Sequence, residues 1–479
     1  MIYKKIFELT DKLSDKEILK TRSGSWTINE IIQDINEAAN RIESFGMQPN
    51  EPLGLAFPNC REFIIFLLAC EMTGHPAVLL GAMLKPREII YHVKNSGIKK
   101  MLASPRLSKF MEEAGGVKQD KTLLSEDFWL FENKEVKGLA FGDVVCQLTS
   151  GTNGMSKGVI RTSVAILSEL ETVINELKLT DEDTVLVIPP IHHAFGLMLG
   201  ALPALCSGAR LILMDGFIPA DVRKTIEEEK VSAVFAVPFM YHLLNQSTLS
   251  SSPDFSSLRV CVTGGASLHH DVTKAFLDRF GQVIYNSYGS TETGAMTISK
   301  DTFCCANAVG KPLANRDIRA FDENGILLPP GETGLLFSKS EANARRYLYP
   351  ENLNEDAFRN GWYNTGDMGS VDEDGVVYVA GRKNNMINVA GLKVDPSEVE
   401  EVIAGIDGIK EVVVVGINNG AGGHVVKAVI VSDKVVVDKK HILDVCKKNL
   451  ADYKLPRVIE FVDQLPRSQT GKILRKCLI

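Results

Sequence analysis

Three separated segments combine residue types that could bind an anion, a metal ion and a developing charge. Small and hydroxyl residues fill the stretch from Thr149 to Gly158, which also contains Lys157. Backbone N–H groups of a glycine-rich loop after a strand can converge on phosphate, and hydroxyl and lysine side chains add donors. Tyr288-Gly-Ser-Thr-Glu292 offers a carboxylate suited to Mg²⁺, and Lys472 lies in a polar segment near the end of the chain. Together they predict a nucleotide site with a metal ion.

The phosphate loop is predicted to follow an apolar strand at 144–148. Its candidate phosphate contacts are Thr149, Ser150, Gly151, Thr152, Asn153, Gly154 and Lys157. The Walker spacing Gly-x-x-x-x-Gly-Lys-Ser/Thr does not occur. Taken alone, this stretch could also be a flexible surface loop, and residues 288–292 could be a turn before a helix.

Three further motifs each have a structural alternative. Segment 190–196 places two histidines between a proline and a glycine, and a histidine is more often structural when no other metal ligand is suitably spaced. Asp367 could accept hydrogen bonds from both ribose hydroxyls, or it could form an Asx turn. The polar segment 381–393 suits either a hinge or a passive linker.

Composition limits the class of protein. A chain of 479 residues suggests roughly three domains, and 45% apolar with 24% charged residues is ordinary for a globular protein. A net charge of −7 argues against nucleic acid as a partner. Nine cysteines without a C-x-x-C pair predict reduced thiols, and the strongest apolar run, 63–70, is too short to span a bilayer. We therefore expect a cytoplasmic protein with no signal peptide and no membrane span.

Alternating helical and apolar runs predict an α/β fold with parallel sheets. Thr27 and Glu30 have the spacing of a capping box, which predicts a helix to about residue 42. A strand at 52–57, a helix at 61–73 and a strand at 76–80 follow, and this rhythm recurs between 183 and 263.

Turn signals dominate after about residue 300 and predict a small β-barrel-like unit at about 300–380. An α+β pattern follows Arg382, with a helix that Ser397 and Glu400 are predicted to cap. The expected domains are an N-terminal body of parallel α/β sheets plus the β-barrel-like unit, 1–383, and a mobile C-terminal α+β lid, 384–479.

In this order, the motifs resemble the acyl-adenylate-forming superfamily, in its acyl- and aryl-CoA synthetase branch, from about Val144 to Arg475. The resemblance implies that a carboxylate attacks the α-phosphate of ATP to form an acyl-adenylate and pyrophosphate. A thiol then displaces AMP. The implied cofactors are ATP, Mg²⁺ and CoA, or the phosphopantetheine arm of a carrier protein. The alternative function is a stand-alone adenylation enzyme that loads an acyl carrier protein in trans.

The resemblance also implies a role for each matching residue. The implied catalytic residues are Lys472, His193, Thr291 and Glu292, and Glu292 is also the implied metal ligand. Besides the loop residues, the implied nucleotide contacts are Gly264, Gly265, Ala266, Ser267, Asn286, Tyr288, Gly289, Thr291, Asp367, Arg382 and Lys472. Domain rotation is implied at Asn384, and the Gly391 loop would serve the thiol step.

Several positions depart from the family pattern. Asn153 and Ser156 stand where Thr and Pro are usual, and Asn384 and Asn385 put the kinetics of domain alternation in doubt. Stretch 338–347 lacks the usual Gly-Pro and Gly-Tyr pattern, which suggests a remodelled loop.

The acyl pocket is predicted to be apolar and to accept a fatty or aromatic acid. Its candidate residues are His193, Phe195, Phe239, Met240 and Ser287. The histidine pair replaces the Phe-Asp pair that anchors an α-amino group, and Ser287 provides no arginine for a second carboxylate. The apolar candidates could equally belong to the core.

Overall fold

The computed structural model describes residues 1–124, 126–133, 139–149, 156–247, 254–301, 307–385, 387–389, 392–418, 424–432, 437–468 and 473–479. They form two compact units. Unit 1 comprises Met1–Ile318 and Ser338–Tyr363, and unit 2 comprises Arg319–Phe337 and Asn364–Ile479. The predicted domain boundary at 383–384 stays a prediction.

Unit 1 contains two mixed sheets, each of eight strands. The strand order of the first is Gly294–Ser299, Ile284–Ser290, Val260–Gly264, Ala233–Phe235, Thr184–Val187, Arg210–Leu213, Glu17–Thr21, Gly24–Thr27. That of the second is Arg346–Tyr349, Lys157–Thr162, Asp143–Thr149, Ala77–Gly81, Leu53–Phe57, Lys100–Ala103, Glu126–Leu130, Val117–Leu123. The central strands of both sheets pair in parallel, as predicted from the alternating pattern.

Among the helices of unit 1, Ile28–Glu43 buries Ile28, Ile31, Ile35 and Ile42 on one face, as expected for an amphipathic helix. The bounds of the unit 1 helices are Ile2–Phe7, Thr10–Leu13, Ile28–Glu43, Arg61–Thr73, Pro86–Ser96, Ser108–Glu113, Ser163–Leu177, Leu202–Cys206, Pro219–Glu228, Pro238–Gln246, His270–Phe280 and Asn354–Ala357. A π-helix spans Phe195–Ala201, short 3-10 helices span Pro105–Leu107 and Glu351–Leu353, and two short strands span Ala308–Gly310 and Phe358–Arg359.

Two local predictions in unit 1 are confirmed. The Thr27 hydroxyl accepts from the Glu30 N–H at 3.3 Å, and Glu30 accepts from the Thr27 N–H at 2.8 Å, which completes the capping box. The helix predicted at 61–73 is present as Arg61–Thr73. Its residues 63–71 are all buried, so this helix has no polar face toward solvent. Within the described parts of the chain, no helix has both the length and the apolar character to cross a membrane.

Unit 2 contains an antiparallel region followed by an α+β region. The strands Asp317–Phe321, Gly334–Lys339, Trp362–Val371 and Val377–Arg382, most of whose residues belong to unit 2, lie side by side, and among the described residues their pairing does not close into a barrel. Beyond them lie the hairpin Ile387–Val389 and Leu392–Val394, and a sheet of Ile409–Asn418, His424–Ser432 and Val458–Phe461. The helices are Pro396–Ala404 and Lys439–Asn449, with 3-10 turns at Lys383–Asn385, Asp452–Lys454 and Arg475–Leu478.

The predicted cap of the helix Pro396–Ala404 is wrong. Asp395 caps this helix by accepting from the Ser397 N–H at 2.9 Å. Pro396 occupies the first helical position, where its fixed φ is favourable, and this places the N-cap one residue before it. Glu400 is thereby available to accept from the Val414 N–H at 2.6 Å.

Candidate active site

A β-hairpin presents the predicted phosphate loop. Thr149 and Lys157 are register partners at the ends of the antiparallel strands Asp143–Thr149 and Lys157–Thr162. The hairpin connection therefore begins and ends at residues with donor side chains. The predicted contacts Ser150, Gly151, Thr152, Asn153 and Gly154 lie outside the described residues and stay predictions.

A second hairpin presents Glu292. Strands Ile284–Ser290 and Gly294–Ser299 pair antiparallel, so the turn at 291–293 joins two strands instead of preceding a helix. A Cβ at Gly289 would lie 2.1 Å from the Gly294 carbonyl oxygen, which explains why only glycine fits there. The Glu292 side chain is buried, with 6% of the residue exposed.

One tyrosine connects the two hairpins. The Tyr347 hydroxyl donates to Glu292 Oε1 at 2.9 Å, and Lys157 Nζ donates to the same hydroxyl at 3.2 Å. The Lys157 ammonium also lies 4.6 Å from the centroid of the Tyr347 ring. The candidate phosphate-binding cation and the candidate metal-binding carboxylate are therefore brought together through one side chain that the sequence did not single out.

A buried ion pair stabilises the turn at 291–293, which contains Glu292. Arg161 Nη2 lies 2.5 Å from Glu169 Oε2, and both side chains are fully buried. Arg161 also donates to the Thr291 carbonyl at 3.1 Å, and Glu169 accepts from the Ala295 N–H at 3.0 Å. The pair therefore fixes the backbone on both sides of Glu292.

Stretch 338–347, which departs from the family pattern, also belongs to this support. The Ala342 carbonyl accepts from Arg161 at 3.0 Å, and the Ala344 N–H donates to the Glu292 carbonyl at 2.6 Å. Arg316 donates to Ser340 Oγ at 2.7 Å and to the Ala295 carbonyl at 3.1 Å, and its burial lowers its pKa. Motif spacing could not reveal these contacts because they join distant segments.

The predicted adenine wall lies where two parallel strands end. Gly264 is the register partner of Ser287, and Gly265, Ala266 and Ser267 follow as exposed residues. In open α/β sheets, ligands bind beyond the carboxyl ends of parallel strands. Asn286, Tyr288 and Gly289 lie on the neighbouring strand Ile284–Ser290, the first two half-buried and the third exposed.

Asn59 fixes the backbone that precedes His193 and Phe195, and Phe195 begins the π-helix Phe195–Ala201. The Asn59 amide donates to the carbonyls of 188, 189 and 214 at 2.9–3.3 Å, and its oxygen accepts from the Ile191 N–H at 2.8 Å. Burial lowers the pKa of His193 to about 4, so the imidazole is neutral at pH 7. The sequence did not identify Asn59 because an asparagine before a helix is a common turn signal.

The predicted acyl-pocket residues fall in two places. A Cβ at Gly264 would lie 3.0 Å from the Phe195 ring and 3.2 Å from the Ser287 carbonyl oxygen, so these three residues meet. Phe239 and Met240 are half-buried on the helix Pro238–Gln246, and Met240 packs against the core around Tyr241. A pocket role for Phe239 and Met240 stays a prediction.

Unit 2 holds Asp367 and Arg382 as cross-strand partners. Arg382 Nε lies 2.7 Å from Asp367 Oδ1, and the carboxylate is buried. Asp367 lies within the strand Trp362–Val371 rather than in a turn, and its N–H donates to Thr365 Oγ1 at 3.1 Å. The carboxylate is thus held rigidly on a strand.

Lys472 lies outside the described residues, but both flanks of residues 469–472 are anchored within unit 2. Arg467 and Ile473 form a β-bridge, and Arg467 lies 2.7 Å from Glu411. Arg475 lies 2.7 Å from Glu400 and donates to the Val414 carbonyl at 2.5 Å. Gly391 is also outside the described residues, and Asn384 lies in the turn Lys383–Asn385, with nothing described of its side chain.

The described residues fit a Mg²⁺ site that relies on substrate oxygens. Among them, no three His, Cys, Asp or Glu side chains converge as a metal cluster. The Glu292 carboxylate is a hard oxygen donor of the kind that Mg²⁺ prefers, and Tyr347 holds one of its two oxygens. Mg²⁺ bound to nucleotides commonly uses one or two carboxylates plus phosphates.

Comparison with known families gives two matches. A family described as AMP-binding enzyme matches residues 7–348, and the AMP-binding enzyme C-terminal domain matches residues 398–472.

Individual proteins resemble nearly the whole chain. A feruloyl-CoA synthase of an Amycolatopsis species is 30% identical over 94% of this chain and 92% of its own length. A long-chain-fatty-acid–CoA ligase of Mycobacterium tuberculosis is 28% identical over 92% and 90%. The structure of ATP-bound MatB from Rhodopseudomonas palustris superposes with a TM-score of 0.88 over 100% of this chain and 97% of its own, at 24% identity. This similarity confirms the predicted α/β fold with a large N-terminal body and a separate, smaller C-terminal part.

Proposed function

This chain belongs to the family of AMP-binding enzymes, and we propose that it joins a carboxylic acid to CoA through an acyl-adenylate. Membership confirms the resemblance to the acyl-adenylate-forming superfamily and the expectation of an AMP-forming ligase. In the first step, a carboxylate oxygen attacks the α-phosphorus of ATP, and the bond to the pyrophosphate oxygen breaks. In the second, the sulfur of CoA attacks the acyl carbon, the bond to the AMP oxygen breaks, and the thiol proton is released.

The main support for this proposal is that Lys157 and Glu292 both form a hydrogen bond with the hydroxyl of Tyr347. A cation at the base of a phosphate loop and a buried carboxylate are the two charges that a metal–nucleotide complex requires. When bound, Mg²⁺ would neutralise phosphate charge beside Glu292. Thr291, half-buried in the turn that follows the strand Ile284–Ser290, would contact the α-phosphate.

The remaining roles are proposals that follow the family resemblance. His193 is neutral because of its burial, so it would orient the substrate carboxylate as a hydrogen-bond donor without adding charge. Asp367 and Arg382 would hold the ribose. Lys472 would stabilise the charge that develops at the α-phosphorus, and rotation at Asn384 would then bring the Gly391 loop to the thiol.

We propose a fatty or aromatic acid as substrate. The two relatives named above are described as acting on feruloyl and long-chain acyl groups, and Phe195 offers an apolar ring beside Gly264. A cytoplasmic location is part of the proposal, and the free thiols among the described cysteines support it.

The test is release of pyrophosphate and AMP by the purified chain with ATP, Mg²⁺ and a panel of acids: acetate, octanoate, palmitate, benzoate, ferulate and malonate. Each acid is offered with CoA and, separately, with a phosphopantetheinylated carrier protein. We expect AMP and an acyl-CoA from apolar acids. Transfer only to the carrier would select the alternative function, and absence of AMP with every acid would overturn the proposal.

A further inference from the structure

The Tyr347 hydroxyl occupies the centre of a chain of four polar side chains in unit 1. It donates to Glu292 Oε1 at 2.9 Å, accepts from Lys157 Nζ at 3.2 Å and lies 3.2 Å from the Tyr363 hydroxyl. Tyr347 is 1% exposed, and its ring packs with Val159 and Ala344 and edge-on against another aromatic ring.

Counting hydrogens assigns a direction to each bond. A lysine ammonium can only donate and an ionised carboxylate can only accept, so the single Tyr347 hydrogen points to Glu292. The two lone pairs of the Tyr347 oxygen then accept from Lys157 and from the Tyr363 hydroxyl. The Tyr347 hydrogen is therefore directed to Glu292 while its oxygen accepts from Lys157, which restricts the orientation of the hydroxyl.

A second tyrosine on the same strand shows what a purely structural hydroxyl looks like. Tyr349 is also buried, and its hydroxyl lies 2.9 Å from Nδ1 of His92, whose pKa burial lowers to about 4. Tyr349 therefore contacts a neutral side chain inside a core cluster, whereas Tyr347 bridges a cation and a carboxylate. Hydrogen bonds to charged groups are shorter and stronger than those between neutral groups. Removal of the Tyr347 hydroxyl should therefore disturb its partners more than removal of the Tyr349 hydroxyl.

We propose that Tyr347 is a positioning residue for binding of the metal–nucleotide complex. It holds one oxygen of Glu292 and leaves the acceptor capacity of the other for Mg²⁺, and it places the Lys157 ammonium where the phosphate loop ends. The inference rests on the proposed function, because that function assigns Mg²⁺ to Glu292 and phosphate to Lys157. Residues that orient a metal ligand in this way typically change metal affinity 10–100-fold when replaced.

The test compares Tyr347→Phe with Tyr349→Phe in the full-length protein. Each variant removes one buried hydroxyl from the strand Arg346–Tyr349 and keeps the ring. Thermal stabilisation by ATP is measured as a function of Mg²⁺ concentration, which requires no turnover, and pyrophosphate release gives separate KM values for metal-bound ATP and for the acid.

For Tyr347→Phe we expect the half-saturating Mg²⁺ concentration and the KM for metal-bound ATP to rise at least about 10-fold, with an unchanged KM for the acid. For Tyr349→Phe we expect no change in either. An unchanged Mg²⁺ midpoint in Tyr347→Phe, or equal shifts in both variants, would overturn the inference. If Tyr347→Phe does not fold, Tyr363→Phe replaces it, and a midpoint shift below about 2-fold would count against the inference.

The wild-type chain separates this inference from the proposed function. If the wild-type chain binds ATP in the presence of Mg²⁺ but forms AMP with none of the acids, the proposed function is wrong. The effect of Tyr347→Phe on the Mg²⁺ midpoint can still be measured in that case. If the wild type forms AMP normally and Tyr347→Phe leaves the Mg²⁺ midpoint unchanged, only the inference about Tyr347 is wrong.

Discussion

Ion pairs support the candidate catalytic residues in both units, but they differ in burial. Arg161 and Glu169, which hold the Glu292 turn in unit 1, are 0% exposed. In unit 2, the side chains of Arg475 and Glu400, beside residues 469–472, are 29% and 12% exposed. A buried pair cannot open without leaving an unsolvated charge, whereas water can reach the charges of a partly exposed pair and replace the partner.

The difference suggests different tasks for the two regions. Unit 1 fixes Glu292 through contacts that cost several kcal/mol to break, which suits a residue needed throughout nucleotide binding. Unit 2 anchors the flanks of Lys472 through contacts of lower cost, which suits a residue that the proposed mechanism requires in only one of two steps.

The largest expected effect is on stability, from Arg161→Met. Removing the guanidinium leaves the Glu169 carboxylate buried without its partner, so the free energy of unfolding should fall by about 3–5 kcal/mol. Urea denaturation of the whole chain, followed by far-UV circular dichroism so that both units contribute to the signal, measures the change. In the matched variant Arg475→Met, the fall should be below about 1 kcal/mol because water reaches the pair. Equal losses in the two variants would remove the contrast between the regions.

The second prediction concerns Lys472→Ala. Pyrophosphate release should fall about 10²–10³-fold because a cation at the developing charge is lost, while thioester formation from supplied acyl-AMP stays near the wild-type rate. The control is Lys476→Ala, which removes an exposed lysine of the same segment. Equal losses in both half-reactions would show that Lys472 does not act in one step only.

A smaller effect is expected from Arg475→Lys. Lysine keeps the charge but cannot donate to Glu400 and the Val414 carbonyl with the fork of arginine. The adenylation rate should fall about 10-fold, less than the roughly 10²-fold that a 1 Å misplacement can cost. The rate of the thioester step should stay unchanged. If Arg475→Lys slowed the thioester step and left adenylation unchanged, Arg475 would not act by anchoring the segment that contains Lys472.

The sequence predicted those parts of the site that short motifs encode. Thr149 ends the strand that the apolar run at 144–148 predicted, because such runs determine strands locally. Asp367, for which a turn was the local expectation, lies instead on the strand Trp362–Val371. The cap at Ser397 failed because Pro396 offered a competing local signal that decides the position of the N-cap.

The supporting contacts could not be predicted in this way. Lys157 and Tyr347 are 190 residues apart in the sequence, and Arg161 and Ala342 are 181 apart. Neither separation leaves a periodic pattern, so only the folded chain shows that stretch 338–347 belongs to the Glu292 site.

The last prediction concerns a carboxylate in unit 1 that has no counterpart of Arg161 among the described residues. Oε2 of Glu126 is buried and has no hydrogen-bond partner among the described residues. Burial, followed by the charges of Glu62 and Asp127, raises its pKa from 4.5 to about 8, and Arg106 only partly opposes this. The folded chain therefore binds this proton more tightly than the unfolded chain, so the stability that protonated Glu126 provides is lost as the pH rises from 4.5 through 8.

Glu126→Gln should abolish this loss, because glutamine stays neutral across the range. The melting temperature of the wild type should fall relative to that of the variant between pH 5 and pH 9, and the control Glu112→Gln, at an exposed position, should follow the wild type. Parallel curves for wild type and Glu126→Gln would mean that Glu126 is already solvated in the folded chain. A buried carboxylate in unit 1 would then not need a partner such as Arg161, and the contrast between the two regions would lose its physical basis.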